Sequence, residues 1–563
     1  MTERLSTAAL GSLPPEVARP TYDRTGIKVG IAHIGVGGFH RSHQAMYLDR
    51  LLEQGAARDW GICGIGLLDS DAHMRDALTA QDGLYTLVLK HPDGTRERRV
   101  IGSLVEYLHA PTDLEAVLER LADPAIRILT LTVTEGGYNV SRTHGSFDLT
   151  APGVAADLAP GAAPRTVFGV VTAALARRRE RGVPPFTVLS CDNLQGNGEV
   201  ARTAFTTFAS ALDEELGSWM RESVRFPSSM VDRITPVTAE ADIVENDDAL
   251  GVHDAWPVIA EPFEQWVIED DFPTGRPPWE QVGAQLVDDV EPYEHMKLRL
   301  LNSTHQAIAY LGYLAGHRYA HETMGDPRIV SLLRRYWTEE ARPTLPPVPG
   351  VDLQEYTDTL EKRYGNEHVR DTLARLCADS SNRIPPWLVP VVRDRLAQDG
   401  PVHCCAAVIA AWARYAEGVD EQGEPITVVD ALQDRVMAAA RAQLPVEQGG
   451  TGDDLAFLRD RSLFGDLVDD DRFTTPYRQA LSLLHARGAT AVLDLLVPVP
   501  GRPPTAGTDA GQTPDPGPLD RPASDATGTS DATGTSDATG TQARQTAPPW
   551  PRTCGCSASA PPC

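Results

Sequence analysis

The chain has 563 residues, 42% apolar and 23% charged, and its 51 Lys and Arg against 78 Asp and Glu give a formal charge of −27. This is the composition of a large globular protein, and the acidic balance argues against a nucleic-acid backbone or an anionic membrane as partner. There is no run of ~18 apolar residues to span a bilayer, and the opening MTERLSTAALGSLPPEV lacks the basic-then-apolar pattern of a secretory leader.

The first half alternates strand and helix patterns. Residues 28–34 (KVGIAHI) read as a buried strand, followed by a glycine turn at 35–38 and a helix to about Glu53. Residues 61–67 predict a second strand, and 71–80 a helix. Residues 85–90 and 99–107 flank HPDGT as a β-hairpin. A helix over 114–121, a strand over 128–134, a helix over 167–181 and a strand over 186–190 follow, the alternation of a doubly wound parallel sheet. Segments 229–236 and 258–262 are candidates to extend that sheet. From about Pro292 the pattern turns helical, so the expected architecture is α/β: a Rossmann-type domain over 1–290, an all-α domain over 291–499, and the site in the cleft between them. Residues 500–563 carry SDATGT three times and almost no large apolar side chain, which predicts a disordered tail.

The eight cysteines (Cys63, Cys191, Cys377, Cys404, Cys405, Cys554, Cys556 and Cys563) form no paired CxxC framework, as expected of a reduced, cytoplasmic chain. Cys191 is read as a buried structural thiol. His403-Cys404-Cys405 is read as part of an apolar helix, and no metal is expected.

The turn Gly35-Val36-Gly37-Gly38-Phe39-His40 ends one strand and opens a helix. Gly35 permits the turn, Gly37 lets the backbone approach a pyrophosphate, and the helix start offers N–H donors. His40 replaces the last glycine of GxGxxG, and Arg41 is placed to contact phosphate. An acidic residue ending the second strand would take the adenosine ribose and favour NAD over NADP. Asp69 is the choice, with Asp71 or Ser70 as helix caps. Glu135, after the strand ending in TVTEGG, is placed to reach the cofactor or a proton path.

Residues 291–305 are the most informative. With Lys297 at zero and ~100° per residue, Asn302 falls near ~140°, His305 near ~80° and Glu294 near ~60°, on one broad side of a largely apolar helix. A buried lysine loses its preference for the charged form and can serve as a general base. The same spacing also fits a Lys297–Glu294 surface pair. Asp192, Asn193 and Asn197 end a strand on the crevice side, placed for chemistry, with helix capping the alternative for Asp192 or Asn197.

HIGVGGFHRSHQ (33–44), TVTEGGYN (132–139), LSCDNLQGNG (189–198), FPSSMVDRITP (226–236), AEPFEQWVIEDDFP (260–273) and YEHMKLRLLNSTH (293–305) occur in one order. Together they resemble the polyol-specific long-chain dehydrogenase family, and the likeness reaches about residue 497. The resemblance implies reversible, metal-free hydride transfer with NAD between a hexitol and a ketohexose, D-mannitol and D-fructose first. A D-mannonate/D-fructuronate pair or arabinitol is the alternative, and a non-catalytic NAD-binding sensor the reading from another class. It implies Lys297 as general base, Asn193 and Asn302 as an oxyanion hole, His305 orienting the substrate hydroxyls, and Asp232 and Arg383 as substrate contacts. Glu294 would relay protons from Lys297 to solvent. The partner is then a small polyol or ketose, and a monomer is expected.

Overall fold

The computed structural model describes residues 3–140 and 145–497, of which Glu135 has no described side chain. Eleven strands lie among the described residues of the first 290: β1 (Val29–Ile34), β2 (Gly61–Gly66), β3 (Tyr85–Lys90), β4 (Arg96–Ile101), β5 (Leu104–His109), β6 (Ile128–Leu131), β7 (Thr187–Ser190), β8 (Ser229–Asp232), β9 (Val258–Ala260), β10 (Gln265–Glu269) and β11 (Gln285–Val287).

Five of them build one parallel sheet in the order β5-β2-β1-β6-β7. Short apolar runs suit strands buried on both faces. Along β1, Ile31 packs on one face with Met46, Leu48 and Leu51 of helix Gln44–Glu53. Ala32 and Ile34 pack on the other with Val170 and Val171 of helix Val167–Glu180. The strand order reverses at β1, between β2 and β6. The crevice at the carboxyl ends of β1 and β6 is therefore where a doubly wound sheet receives a ligand.

The hairpin forms, but β3 pairs with β4 over Tyr85–Lys90 and Arg96–Ile101. The stretch read as one strand over 99–107 breaks at Gly102-Ser103, and its second part, β5, joins the main sheet instead. Segments 229–236 and 258–262 do contain strands, but these do not extend the main sheet. β9 pairs with β3, and β8 pairs antiparallel with β10 in a third sheet. Strand propensity was readable there; which edge each strand would find was not.

The second half is helical around one apolar core that includes Ile308, Leu311, Leu332, Trp337, Val408 and Trp412. Helix His403–Ala416 is buried along most of its length, and its alanines let helix Asp471–Arg487 approach closely. No described helix is long and apolar enough to cross a membrane. The tail expected over 500–563 lies outside the described residues.

Candidate active site

Gly35 has φ +95°, and a Cβ there would sit 2.0 Å from the Thr132 carbonyl oxygen, so only glycine fits. At Gly37 a Cβ would meet nothing nearer than Gly35 O at 3.8 Å, which leaves the backbone open to the cleft. His33 braces the turn from beneath, with Nδ1 2.7 Å from Thr130 Oγ1 and Nε2 3.1 Å from Gly35 O. Burial pushes the His33 pKa down to about 3, so the ring is neutral. This cradle fits a dinucleotide pyrophosphate. Gly35, Gly37, Gly38 and Phe39 line the cleft.

The expected side-chain contacts at the end of this motif are not all there. Val36 points into the core, packed against Gly64. His40 is fully buried and stacks on His33, ring centroids 3.4 Å apart. Arg41 is 1% exposed; it donates to the Trp256 carbonyl and lies over the Tyr85 ring. The expectation that Arg41 contacts phosphate is corrected: the helix Gly38–Ser42 turns its side chain inward, together with that of His40, which replaces the last glycine of the motif. The period of a five-residue helix cannot tell which face is core until its neighbours are known.

Asp69 is exposed just past the end of β2; its backbone carbonyl accepts the Ala72 N–H, and its carboxylate makes no hydrogen bond among the described residues. Asp71 Oδ2 instead accepts the Leu68 N–H at 3.0 Å. Asp71 is thus the cap, and the Asp69 carboxylate is left facing solvent. Glu135 lies in the turn Glu135–Tyr138, and its side chain is outside the described residues.

At the end of β7, Asp192 accepts the N–H groups of Val133 (3.0 Å) and Thr134 (2.8 Å) and the Tyr138 hydroxyl (2.8 Å), so it ties two strand ends together at the cleft. Asn197 is spent on structure: its amide donates to the carbonyls of Asp192 and Ser229 and accepts from Ser229 N–H. Asn193 faces the cleft and accepts a hydrogen bond from Lys297 Nζ.

Lys297, Asn302 and His305 all line the same cleft, of about 420 Å³. The helix carrying them is not a plain α-helix. Residues Lys297–Asn302 form a π turn, closed by Ser303 N–H to Leu298 O, an i→i+5 bond. An i→i+5 turn stacks residue i+5 closer over residue i than an α turn does. Asn302 thus lies nearer Lys297 than the 3.6-residue period predicts. Lys297 and Glu294 are both buried, which excludes the surface-pair reading.

Glu294 accepts the Gly196 N–H at 3.0 Å, while its other oxygen has no partner among the described residues. Burial, partly offset by that N–H, pushes its pKa up to about 7. Glu294, Lys297, Asp192 and Asn193 border a second, small cavity of about 10 Å³, room for one water. His305 is held well below the usual histidine range by burial and by Arg375, Arg363 and Lys297 around it. It is therefore neutral, with one donor and one acceptor nitrogen. The Asn302 Oδ1 atom is buried with no partner among the described residues.

Two models of known families match the chain. The mannitol dehydrogenase Rossmann domain matches residues 29–281, and the mannitol dehydrogenase C-terminal domain matches residues 289–484. The chain belongs to the mannitol dehydrogenase family. Within the family, a mannitol 2-dehydrogenase of Phaeosphaeria nodorum is 43% identical over 496 residues, 87% of this chain and 85% of the relative. Mannitol dehydrogenase 2 of Saccharomyces cerevisiae is 42% identical, over 87% of this chain and 96% of the relative. Among solved structures, a ternary complex of Pseudomonas fluorescens mannitol 2-dehydrogenase with NAD and D-mannitol aligns with TM-score 0.81 at 43% identity. It covers 88% of this chain and 99% of that one. A substrate-free D-sorbitol dehydrogenase aligns with TM-score 0.76 at 38% identity, over 88% and 100%.

In this member of the family both oxygens of Asp232 are engaged by Arg363, so what borders the cleft is a shared carboxylate. Arg383 borders it too, donating to the carbonyls of Arg375 (3.3 Å) and Leu376 (3.4 Å), with no ion pair among the described residues. Sequence reasoning missed Arg375, Gln306, Trp387 and Thr235, which also line the cleft. Gln306, beside His305, had a local signal; Arg375 and Trp387 lie in the helical half, where no motif marks them.

Proposed function

We propose that this protein oxidises D-mannitol to D-fructose with NAD, and runs the reverse reduction, with Lys297 as the acid–base group. The observation that carries the reading is Lys297, buried and held by Asn193, facing one cleft with Asn302, His305 and the glycine cradle. The mannitol 2-dehydrogenase names of the relatives and the NAD and D-mannitol in the Pseudomonas complex support the substrate and the cofactor.

NAD, when bound, would supply the acceptor for the hydride of the carbinol carbon. Gly35, Gly37 and Gly38 would give its pyrophosphate room, and Asp69 would take the adenosine ribose. Lys297 Nζ takes the hydroxyl proton. The Asn193 and Asn302 amides donate to the oxygen as negative charge develops on it. Neutral His305 matches a hydroxyl by donating with one nitrogen and accepting with the other. Asp232 and Arg383 hold the rest of the polyol. Glu294, whose carboxyl titrates near neutrality, passes the proton from Lys297 to solvent across the one-water cavity. The reading places the enzyme in the cytoplasm as a monomer, which sedimentation at assay concentration checks.

A second reading has one observation in its favour. A sugar acid needs a cation, and Arg383 faces the cleft without an ion-pair partner among the described residues, while Arg375 is neutralised by Asp371. The experiment is NADH formation with mannitol, sorbitol, arabinitol and mannonate, each with NAD and NADP. Strong turnover of mannitol with NAD is expected. Turnover of mannonate alone transfers the assignment to the sugar-acid pair, and silence on all four with NAD still bound leaves a sensor.

A further inference from the structure

The π turn at Lys297–Asn302 is gripped from outside its own helix. Three successive carbonyls inside it each take a side-chain donor from elsewhere in the fold. Tyr336 Oη donates to Arg299 O at 2.8 Å, Trp337 Nε1 to Leu300 O at 2.9 Å, and Tyr364 Oη to Leu301 O at 3.0 Å. All three side chains are buried. Tyr336 and Trp337 open a second π turn, Tyr336–Ala341, lying against the first, and Tyr364 ends the helix Leu353–Tyr364. Tyr364 also meets Thr304 Oγ1 at 2.9 Å, and its ring lies 4.9 Å from that of His305.

A π turn is rare in isolation because an α turn closes the same backbone with better geometry. Returning this one to α would rotate its carbonyls away from three fixed donors, and each buried polar group left unpaired costs free energy. It would also swing Asn302 away from Lys297. We propose that Tyr336, Trp337 and Tyr364 are positioning residues that hold the wide turn. Their hydrogen bonds set the placement of Lys297 and Asn302 in the cleft without touching substrate. The proposal rests on the reading of Lys297 as the acid–base group.

The test is the variant pair Tyr336→Phe and Tyr364→Phe, alone and combined, with Tyr293→Phe as control. Tyr293 Oη donates to Pro349 O at 2.8 Å from the same helix, just before the turn, and is equally buried. The combined variant is expected to lose about tenfold or more in kcat and to shift the apparent pKa of its kcat/KM–pH profile. NAD affinity should stay within twofold, and unfolding should remain cooperative above the assay temperature. Tyr293→Phe should keep kcat and the pH profile. Unchanged kcat and pH profile in the combined variant would overturn the proposal, as would an equal loss in the control. A crystal structure of the combined variant separates this from the functional reading. An α register over 297–302 supports the grip whatever the substrate proves to be, and an unaltered π turn refutes it.

Discussion

Arg363 holds Asp232 by two parallel hydrogen bonds, Nη1 to Oδ2 at 2.8 Å and Nη2 to Oδ1 at 2.9 Å. The same guanidinium donates to both oxygens of Glu261, through Nε at 3.0 Å and Nη2 at 2.8 Å, and stacks over Phe263. The arginine comes from the helical half and both carboxylates from the sheet half, and all three groups are buried. This fork draws the two walls of the cleft together and presents Asp232 to it.

Removing the fork leaves two buried carboxylates without their cation. Breaking a buried pair of this kind typically costs about 3–5 kcal/mol. Arg363→Met should lower stability by that order in urea unfolding and raise the KM for the polyol. Arg363→Lys restores the charge but not the bidentate geometry, and should recover only part of either loss. A KM and an unfolding midpoint both unchanged in Arg363→Met would show that the fork positions nothing.

Glu294 makes a pH-dependent prediction with a definite sign. Its pKa is raised by burial from 4.5 to about 7, so the folded protein prefers the protonated form. The stability it contributes is present below pH 4.5 and is lost as pH rises through about 7. The full loss is about 3 kcal/mol by linkage. Glu294→Gln should therefore gain stability relative to the wild type as pH goes from 5 to 8. Its oxidation kcat should lose the rise near pH 7 and fall by about 10²-fold, since the proton taken by Lys297 has lost its relay. Parallel stability curves at the two pH values would contradict the burial argument, and an unaltered pH–rate profile would contradict the relay.

Lys297→Ala removes the proposed base and leaves the glycine cradle untouched. Turnover should fall at least ~10²-fold in both directions, while NAD affinity, read by fluorescence titration, stays within about twofold. Near-normal turnover would exclude Lys297 as the acid–base group.

What could be read in the chain follows the range of the interactions. The sheet, the glycine turn and the Lys297–Asn302–His305 helix are written in local patterns of a few residues, and all are present. The inward turn of His40 and Arg41 depends on Tyr85 and Trp256, and the fork on Asp232 depends on Arg363, more than a hundred residues away. No local pattern holds that information. The π turn was hidden for a related reason: its donors Tyr336, Trp337 and Tyr364 come from other helices, so a fixed angle of ~100° per residue set Asn302 too far from Lys297.

Residues 505–563 should be dispensable. The described core closes at Leu496, which is buried and whose carbonyl accepts from Arg335, and the segment beyond 504 has almost no large apolar side chain. A chain ending at residue 504 should match the full chain in kcat, KM and thermal midpoint. A large loss of turnover on truncation would give the tail a role that its composition does not suggest.

In the proposed reading, Asp69 selects between the two nicotinamide cofactors. It stands exposed past the end of β2, with Asp71 already committed to the Leu68 N–H, and on the proposed reading its carboxylate accepts the adenosine ribose hydroxyls. The same negative charge would repel a 2′-phosphate. Asp69→Ala removes both effects. NAD should bind about tenfold more weakly, a loss of about 1.4 kcal/mol, the size of one hydrogen bond to a charged group. NADP turnover should rise at the same time, because the negative charge that repels a 2′-phosphate is gone. The ratio of kcat/KM for NAD to that for NADP, compared between wild type and variant, reads both changes. A ratio that does not move places the ribose on another residue and reopens the role of Ser70 and Asp71.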